Sequence, residues 1–259
     1  CGTDRNDLLV HGEQPVAPEA EEKYLNWIRQ RAEHIPLQQL TGEQGFMGLT
    51  FSVNEHVLIP RQDTEILVEE VLKELHDGMR VLDMCTGSGC ILLSLLHYSN
   101  DCEGLGVDLS AEALEVAGRN VLKVLTPEKA EHAHFLQSDL FEKVEGKFEI
   151  IVSNPPYIAS AEVEKLMPEV RDHEPRMALD GTEDGLYFYR RIIEEAGKHL
   201  VSSGMLFFEI GYDQGQAVSE LMRTEGYCDV QVVQDYAGLD RVVFGTYVTV
   251  QPAPFAKSR

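Results

Sequence analysis

Asn154-Pro155-Pro156-Tyr157 is the stretch whose residue types are best suited to chemistry. Each proline fixes its own φ, Pro155 pushes Asn154 out of the helical region, and neither ring nitrogen carries a hydrogen. The product is a stiff ledge with free acceptors. The Asn154 side-chain oxygen and the Pro155 carbonyl can each take one hydrogen of a planar NH2 group, while the Tyr157 ring covers one of its faces. An amide or exocyclic amine is a poor nucleophile because its lone pair is delocalised, so orienting and polarising it is the help it needs. The same four residues also read as a proline-stiffened turn with an ordinary turn-forming asparagine. The other motifs decide between the two.

Four strand ends carry those motifs. Phe148 to Ser153 is an apolar run of the kind that forms a buried parallel strand, and open α/β sheets bind ligands at the carboxyl ends of such strands. Upstream, Val81-Leu82-Asp83-Met84 reads as a short buried strand, Cys85-Thr86-Gly87-Ser88-Gly89 as a tight turn, and Cys90 to His97 as an apolar helix. Glycines in that position let a nucleotide-type ligand approach the backbone. The dinucleotide fingerprint wants a third glycine where Leu92 stands, and the Gly-Lys-Ser/Thr of a phosphate loop is absent. Gly104 to Val107 is a second strand ending in Asp108, a carboxylate suited to accept from both hydroxyls of a ribose, followed by Ser110 as a helix cap. Ala133 to Leu136 is a third strand, ending at Ser138-Asp139-Leu140-Phe141, where Asp139 suits an adenine amino group and Leu140 the face of its ring.

Bulk properties narrow the classes. At 259 residues, 43% hydrophobic and 25% charged, the chain has the composition of an ordinary globular protein of one large domain, or of one plus a small one. No apolar run approaches a membrane span and the start lacks a signal-peptide pattern, so a cytoplasmic protein is expected. Five cysteines, widely spread (Cys1, Cys85, Cys90, Cys102, Cys228), read as reduced thiols, and nine histidines without paired spacing give no metal site. A net charge of −22 with only scattered basic residues disfavours a nucleic-acid substrate and makes a neutral or basic partner easier to accommodate; no membrane partner is expected.

The remaining chain supplies the scaffold. Residues 1 to about 17 read as a loose terminus, and Pro18 to about His34 as a helix whose Tyr24, Leu25, Ile28 and Ala32 stripe must pack on something else. Gly42 to Pro60 reads as an extended hairpin, and Asp63 as the N-cap of a helix reaching Gly78. Arg61, just before that helix, is either a ligand contact or a structural arginine. From Ala159 to Asp184 the pattern is that of a long irregular lid or binding loop. Asp184 to Leu200 and Gln214 to Glu225 are helical, and Gly204 to Ile210, Cys228 to Val233 and Val242 to Val248 are strands. The fold class expected is α/β, with a seven-stranded, mostly parallel, doubly wound sheet.

The set Asp83 to Gly89, Asp108, Asp139 and Asn-Pro-Pro-Tyr resembles class I, Rossmann-like, S-adenosylmethionine-dependent methyltransferases acting on a planar NH2 group. Two groups share the tetrapeptide: adenine amino-methyltransferases, and the HemK/PrmC family that methylates a glutamine side chain of peptide release factors. Leu58 to Glu65 is similar to the second family's Pro-Arg-x-Asp-Thr-Glu signature. Glu174-Pro175-Arg176 with Ala178-Leu179 and Asp184-Gly185-Leu186 resembles its following loop, and Asp235-Tyr236 with Asp240-Arg241-Val242 its C-terminal hairpin. The resemblance implies S-adenosylmethionine as cofactor. Cys85 to Gly89 (Cys85, Thr86, Gly87, Ser88, Gly89) would line its methionine part, Asp108 its ribose, and Asp139 with Leu140 its adenine, with Asp83 also among the cofactor-binding residues. Asn154 would face both cofactor and substrate. With Pro155, Pro156 and Tyr157 it would hold the amide for a direct in-line methyl transfer needing no metal. A peptide chain release factor is the implied protein partner, without direct nucleic-acid contact; an adenine methyltransferase or a non-catalytic scaffold are the alternatives. The implied domains are a helical segment over 1–41, room for only one or two helices of the family's N-terminal bundle, a hairpin linker over 42–62, and the methyltransferase domain over 63–259.

Overall fold

The computed structural model describes residues 5–248. Three helices come first, α1 (Arg5–Val10), α2 (Pro18–Ala32) and α3 (Leu37–Thr41), followed by an antiparallel hairpin of β1 (Glu43–Phe46) and β2 (Leu49–Ser52). The sheet domain then runs α4 (Asp63–Glu74), β3 (Arg80–Met84), α5 (Cys90–Tyr98), β4 (Glu103–Asp108), α6 (Ala111–Val124), α7 (Pro127–Ala130), β5 (Ala133–Gln137) and β6 (Phe148–Ser153). Short turns of helix, α8 (Ser160–Val163) and α9 (Pro168–Arg171), precede α10 (Tyr187–His199), β7 (Leu200–Glu209), α11 (Gly215–Thr224), β8 (Tyr227–Gln234) and β9 (Asp240–Tyr247).

Among the described residues, seven strands form one sheet in the order β5-β4-β3-β6-β7-β9-β8. Neighbours from β5 to β7 are parallel, and only β9 runs against its neighbours. The expected class is therefore the observed one. The chain winds outward from β3 through β4 to β5 and then returns to the other side of β3 as β6, so the order reverses between β3 and β6. At such a reversal, the loops leaving adjacent strands diverge and leave a crevice.

Strand side chains alternate between two cores, as a period of two requires. Ile150 and Val152 of β6 join α4, α5 and α6 on one face, while Ile151 joins α10 and α11 on the other. α5 is packed almost wholly in the first core, which is why its sequence is apolar all round. The third glycine missing from the turn has its counterpart on the strand. A Cβ at Gly104 would lie 2.6 Å from Leu92 Cδ1, so close approach of helix and sheet comes from a small residue on β4 facing a large one on α5.

The hairpin is anchored to this core. Phe46 and Phe51 are buried in it, and Asn120 of α6 accepts from Ser52 N (2.7 Å) while donating to Ser52 O (3.1 Å) and Ser88 O (2.9 Å).

Several sequence expectations are corrected. The stripe on α2 buries nothing: Tyr24, Leu25 and Ile28 stay exposed, and the helical segment is joined to the domain by polar contacts instead. Arg31 donates to both carboxylate oxygens of Glu169 (2.8 and 3.3 Å), and Gln39 Nε2 donates to His173 O (2.7 Å). The expected loose terminus contains α1, whereas Cys1 lies outside the described residues. Asp63 is the first residue of α4 rather than its cap, and its carboxylate faces Arg241 at 3.4 Å. The long segment 159–184 contains α8, α9 and a 3-10 turn at Arg176–Ala178.

Candidate functional site

A cleft opens where the sheet order reverses. Its floor and walls come from the ends of β3, β4, β5 and β6, the segment from His56 to Thr64, and the segment from Pro175 to Asp180. Ser153 Oγ donates to Met84 O (2.6 Å), tying the two strand ends at the reversal.

Asn154 and Pro156 line the cleft. Asn154 Nδ2 donates to Thr64 Oγ1 at 3.4 Å, which leaves Oδ1 as the acceptor end of the amide. Pro155 is buried, and Tyr157 turns away from the cleft to donate its hydroxyl to Glu209 Oε1 at 3.4 Å. Burial, and then the charge of Glu209, push the Tyr157 pKa well above the ordinary phenol value. The backbone after the ledge is pinned as well. Gln214 Nε2 donates to Tyr157 O (3.0 Å), Ile158 N to Leu179 O (3.0 Å) and Gly181 N to Ile158 O (2.8 Å).

The glycine turn leaves the strand next to the ledge and lines the same cleft. Cys85, Thr86, Gly87 and Ser88 line it, while Gly89 lies behind them as the left-handed residue that starts α5. Cys85 itself adopts φ 63°, a conformation in which glycine is usual. Its thiol pKa is pushed far up by burial, and further by the nearby Asp108 and Asp83 carboxylates. Asp83 is not in the cleft wall. It is fully buried beneath the turn, where Oδ2 accepts from Thr86 Oγ1 (2.6 Å) and Leu92 N (3.3 Å). Its contribution is to hold the turn in shape.

Asp108 stands half-buried in the wall, with Oδ2 accepting from Gly87 N (2.9 Å) and Oδ1 from Ser110 N (2.9 Å). Burial raises its pKa, and these amide donors oppose the rise. Each oxygen keeps a further lone pair for a ligand hydroxyl. Asp139 and Leu140 also line the cleft; Asp139 is paired with Arg191 of α10 at 2.9 Å, and Leu140 is held at φ 46°.

The rim joins two sequence motifs far apart in the chain. Glu174, whose side chain is 1% exposed, accepts from Ile59 N (3.2 Å) and is paired with the cleft-lining Arg61. Arg61 is thus both structural and exposed to the ligand space. Thr64, Leu109, Met177 and Phe188 also line the cleft, and Glu209 supports the ledge from below; sequence reasoning assigned none of these a role. A signal existed for Glu209. Like Asp83 and Asp108, it is a lone carboxylate ending an apolar strand run.

Comparisons with known proteins place the chain among methyltransferases. The family model described as methyltransferase small domain matches residues 61–170, and the one described as PrmC N-terminal domain matches residues 1–42. The chain is 42% identical over 244 residues to the release factor glutamine methyltransferase of Clostridium acetobutylicum, covering 93% of this chain and 85% of that one. It is 44% identical over 245 residues to the protein of the same description from Moorella thermoacetica, with 93% and 85% covered. Among solved structures, a methyltransferase from Pyrococcus furiosus shares the fold at 18% identity, with a TM-score of 0.56 over 84% of this chain and 98% of that one.

Proposed function

The chain belongs to the release factor glutamine methyltransferase family, and from that premise we propose that it transfers a methyl group from S-adenosylmethionine to the side-chain amide nitrogen of the glutamine in the Gly-Gly-Gln motif of peptide chain release factors. The observation that carries this reading is the Asn154 amide at the point where the sheet order reverses, its NH2 bound to Thr64 and its oxygen left to accept from a planar NH2 group.

The residues at the ends of β3, β4 and β5 fit the cofactor by their donor and acceptor chemistry. Asp108 has spare lone pairs for a ribose diol, Asp139 with Leu140 suits an adenine edge and face, and Cys85 to Ser88 offer a close backbone approach for the methionine part. When bound, S-adenosylmethionine supplies an electrophilic methyl group on a positively charged sulfonium. The protein's own task is positional. Asn154 Oδ1 and the Pro155 carbonyl hold the two amide hydrogens, so the nitrogen lone pair is aimed away from both. Fixing this geometry in a desolvated cleft removes the orientational cost of bringing a weak nucleophile to its partner.

The test uses methyl-labelled S-adenosylmethionine with a release factor, the same factor with its Gly-Gly-Gln glutamine changed to alanine, or duplex DNA. Label on the unaltered factor alone is expected. Label on DNA would replace the reading with adenine methylation. Asn154→Ala is expected to lower turnover far more than cofactor affinity, and equal losses would refute its assigned role.

A further inference from the structure

Glu209 ends β7, which runs parallel to β6 with Phe208 opposite Ser153, so it stands one residue beyond the last pair and beside the ledge. It is 2% exposed. The Tyr157 hydroxyl donates to its Oε1, the Thr64 hydroxyl of α4 is its neighbour, and its Oε2 has no hydrogen-bond partner among the described residues. Arg241 attracts it from β9, but that guanidinium is already engaged with Asp235 (3.0 Å) and Asp63 (3.4 Å). A carboxyl this poorly compensated in a core is costly, and replacement by an apolar side chain would remove the cost.

We propose that Glu209 and Thr64 are positioning residues that decide which end of the Asn154 amide faces the substrate, an inference that rests on the glutamine reading above. An asparagine amide is nearly symmetric in shape, so its orientation is set by hydrogen bonding and not by packing. Thr64 has one hydroxyl hydrogen. In this arrangement that hydrogen is given to the neighbouring Glu209 carboxyl, whose Oε2 has no other partner among the described residues, and the Thr64 oxygen is left to accept from Asn154 Nδ2 at 3.4 Å. The amide is thereby held with its oxygen available. Without Glu209 the hydroxyl is free to donate to the Asn154 oxygen instead, which turns the NH2 toward the substrate. Two donors would then face each other. The same carboxyl accepts from Tyr157, so both ends of the ledge are referenced to one group.

The experiment compares Thr64→Val, Thr64→Ser, Glu209→Leu and the Thr64→Val/Glu209→Leu double variant. The readouts are kcat and KM for a release factor, the S-adenosylmethionine Kd and the melting temperature. Thr64→Val is expected to lower kcat roughly tenfold or more, about the worth of one oriented hydrogen bond, with the cofactor Kd within about twofold. Thr64→Ser, which keeps the hydroxyl, restores kcat to within about threefold. The double variant loses no more than the larger single loss, because both changes break one relay. A kcat unmoved in Thr64→Val, a loss that serine does not restore, or losses that multiply in the double variant would overturn the positioning role. The Thr64 pair decides on its own if Glu209→Leu does not fold. Absence of methylation by the unaltered protein would instead overturn the glutamine reading and this inference with it.

Discussion

Replacing Asp83 by asparagine should make the protein more stable at neutral pH, by an amount the structure allows to be worked out. Asp83 has no solvent exposure, and only its Oδ2 is satisfied, by Thr86 and Leu92; Oδ1 has no partner among the described residues. Burial pushes its pKa from the ordinary 3.8 up to about 7; the two hydrogen bonds oppose the rise and the Asp108 charge adds to it. Between those values the folded carboxyl keeps a proton that the unfolded chain has released, so stability falls as pH rises. The contribution is fully present below about pH 4, declines by roughly 1.4 kcal/mol per pH unit, and is lost above about pH 7, a total of about 4 kcal/mol. Asparagine reproduces the neutral form. Its oxygen can accept from Thr86 and Leu92 while its NH2 replaces the unpartnered oxygen. Urea unfolding followed by circular dichroism from pH 4 to 8 should give equal stabilities at the acid end and a variant more stable by about 4 kcal/mol at pH 8. Glu209, raised to about 7 from 4.5 by burial, adds a slope of the same sign, but it is common to both proteins and cancels in the difference. Parallel pH profiles for the two proteins would refute the reasoning, since they would mean that Asp83 ionises near its ordinary value when folded.

Three further outcomes follow from the contacts around the cleft. Asp108→Asn keeps one acceptor but sets an NH2 against a backbone N–H of Gly87 or Ser110, and it should weaken S-adenosylmethionine binding about tenfold to a hundredfold in calorimetry; unchanged affinity would remove Asp108 from the cofactor site. Glu174→Ala leaves the Ile59 N–H without its acceptor, while the half-exposed Arg61 can turn to water, so a loss of about 2 kcal/mol is expected in the urea midpoint and not the larger cost of a stranded charge. Gly185→Ala puts a Cβ 2.3 Å from Tyr157 O at a residue with φ 73°, so turnover and stability should fall together, the latter by at least about 2 kcal/mol, with differential scanning calorimetry as the check.

What the sequence determined by itself was set by local pattern. The buried runs before Asp83, Asp108 and Asn154, the glycine turn, and the Ser110 cap, whose Oγ accepts from Ala113 N at 3.0 Å, each depend on neighbours a few residues away, so strand ends and the polar residues placed on them were legible. Periodicity was less reliable where the outcome depended on a partner surface. The α2 stripe has helical spacing, yet spacing says nothing about whether another surface covers it, and among the described residues none does. The site's supports were invisible for a related reason. Thr64 meets Asn154 across 90 positions, Glu209 meets Tyr157 across 52, and Glu174 meets Ile59 across 115. No local rule relates residues so far apart. The sheet order, which sets β7 beside β6, brings Glu209 to Tyr157, while the other two pairs join α4 and the segment before it to loops leaving the sheet; a hydrogen bond requires a separation of about 3 Å in space whatever the distance along the chain.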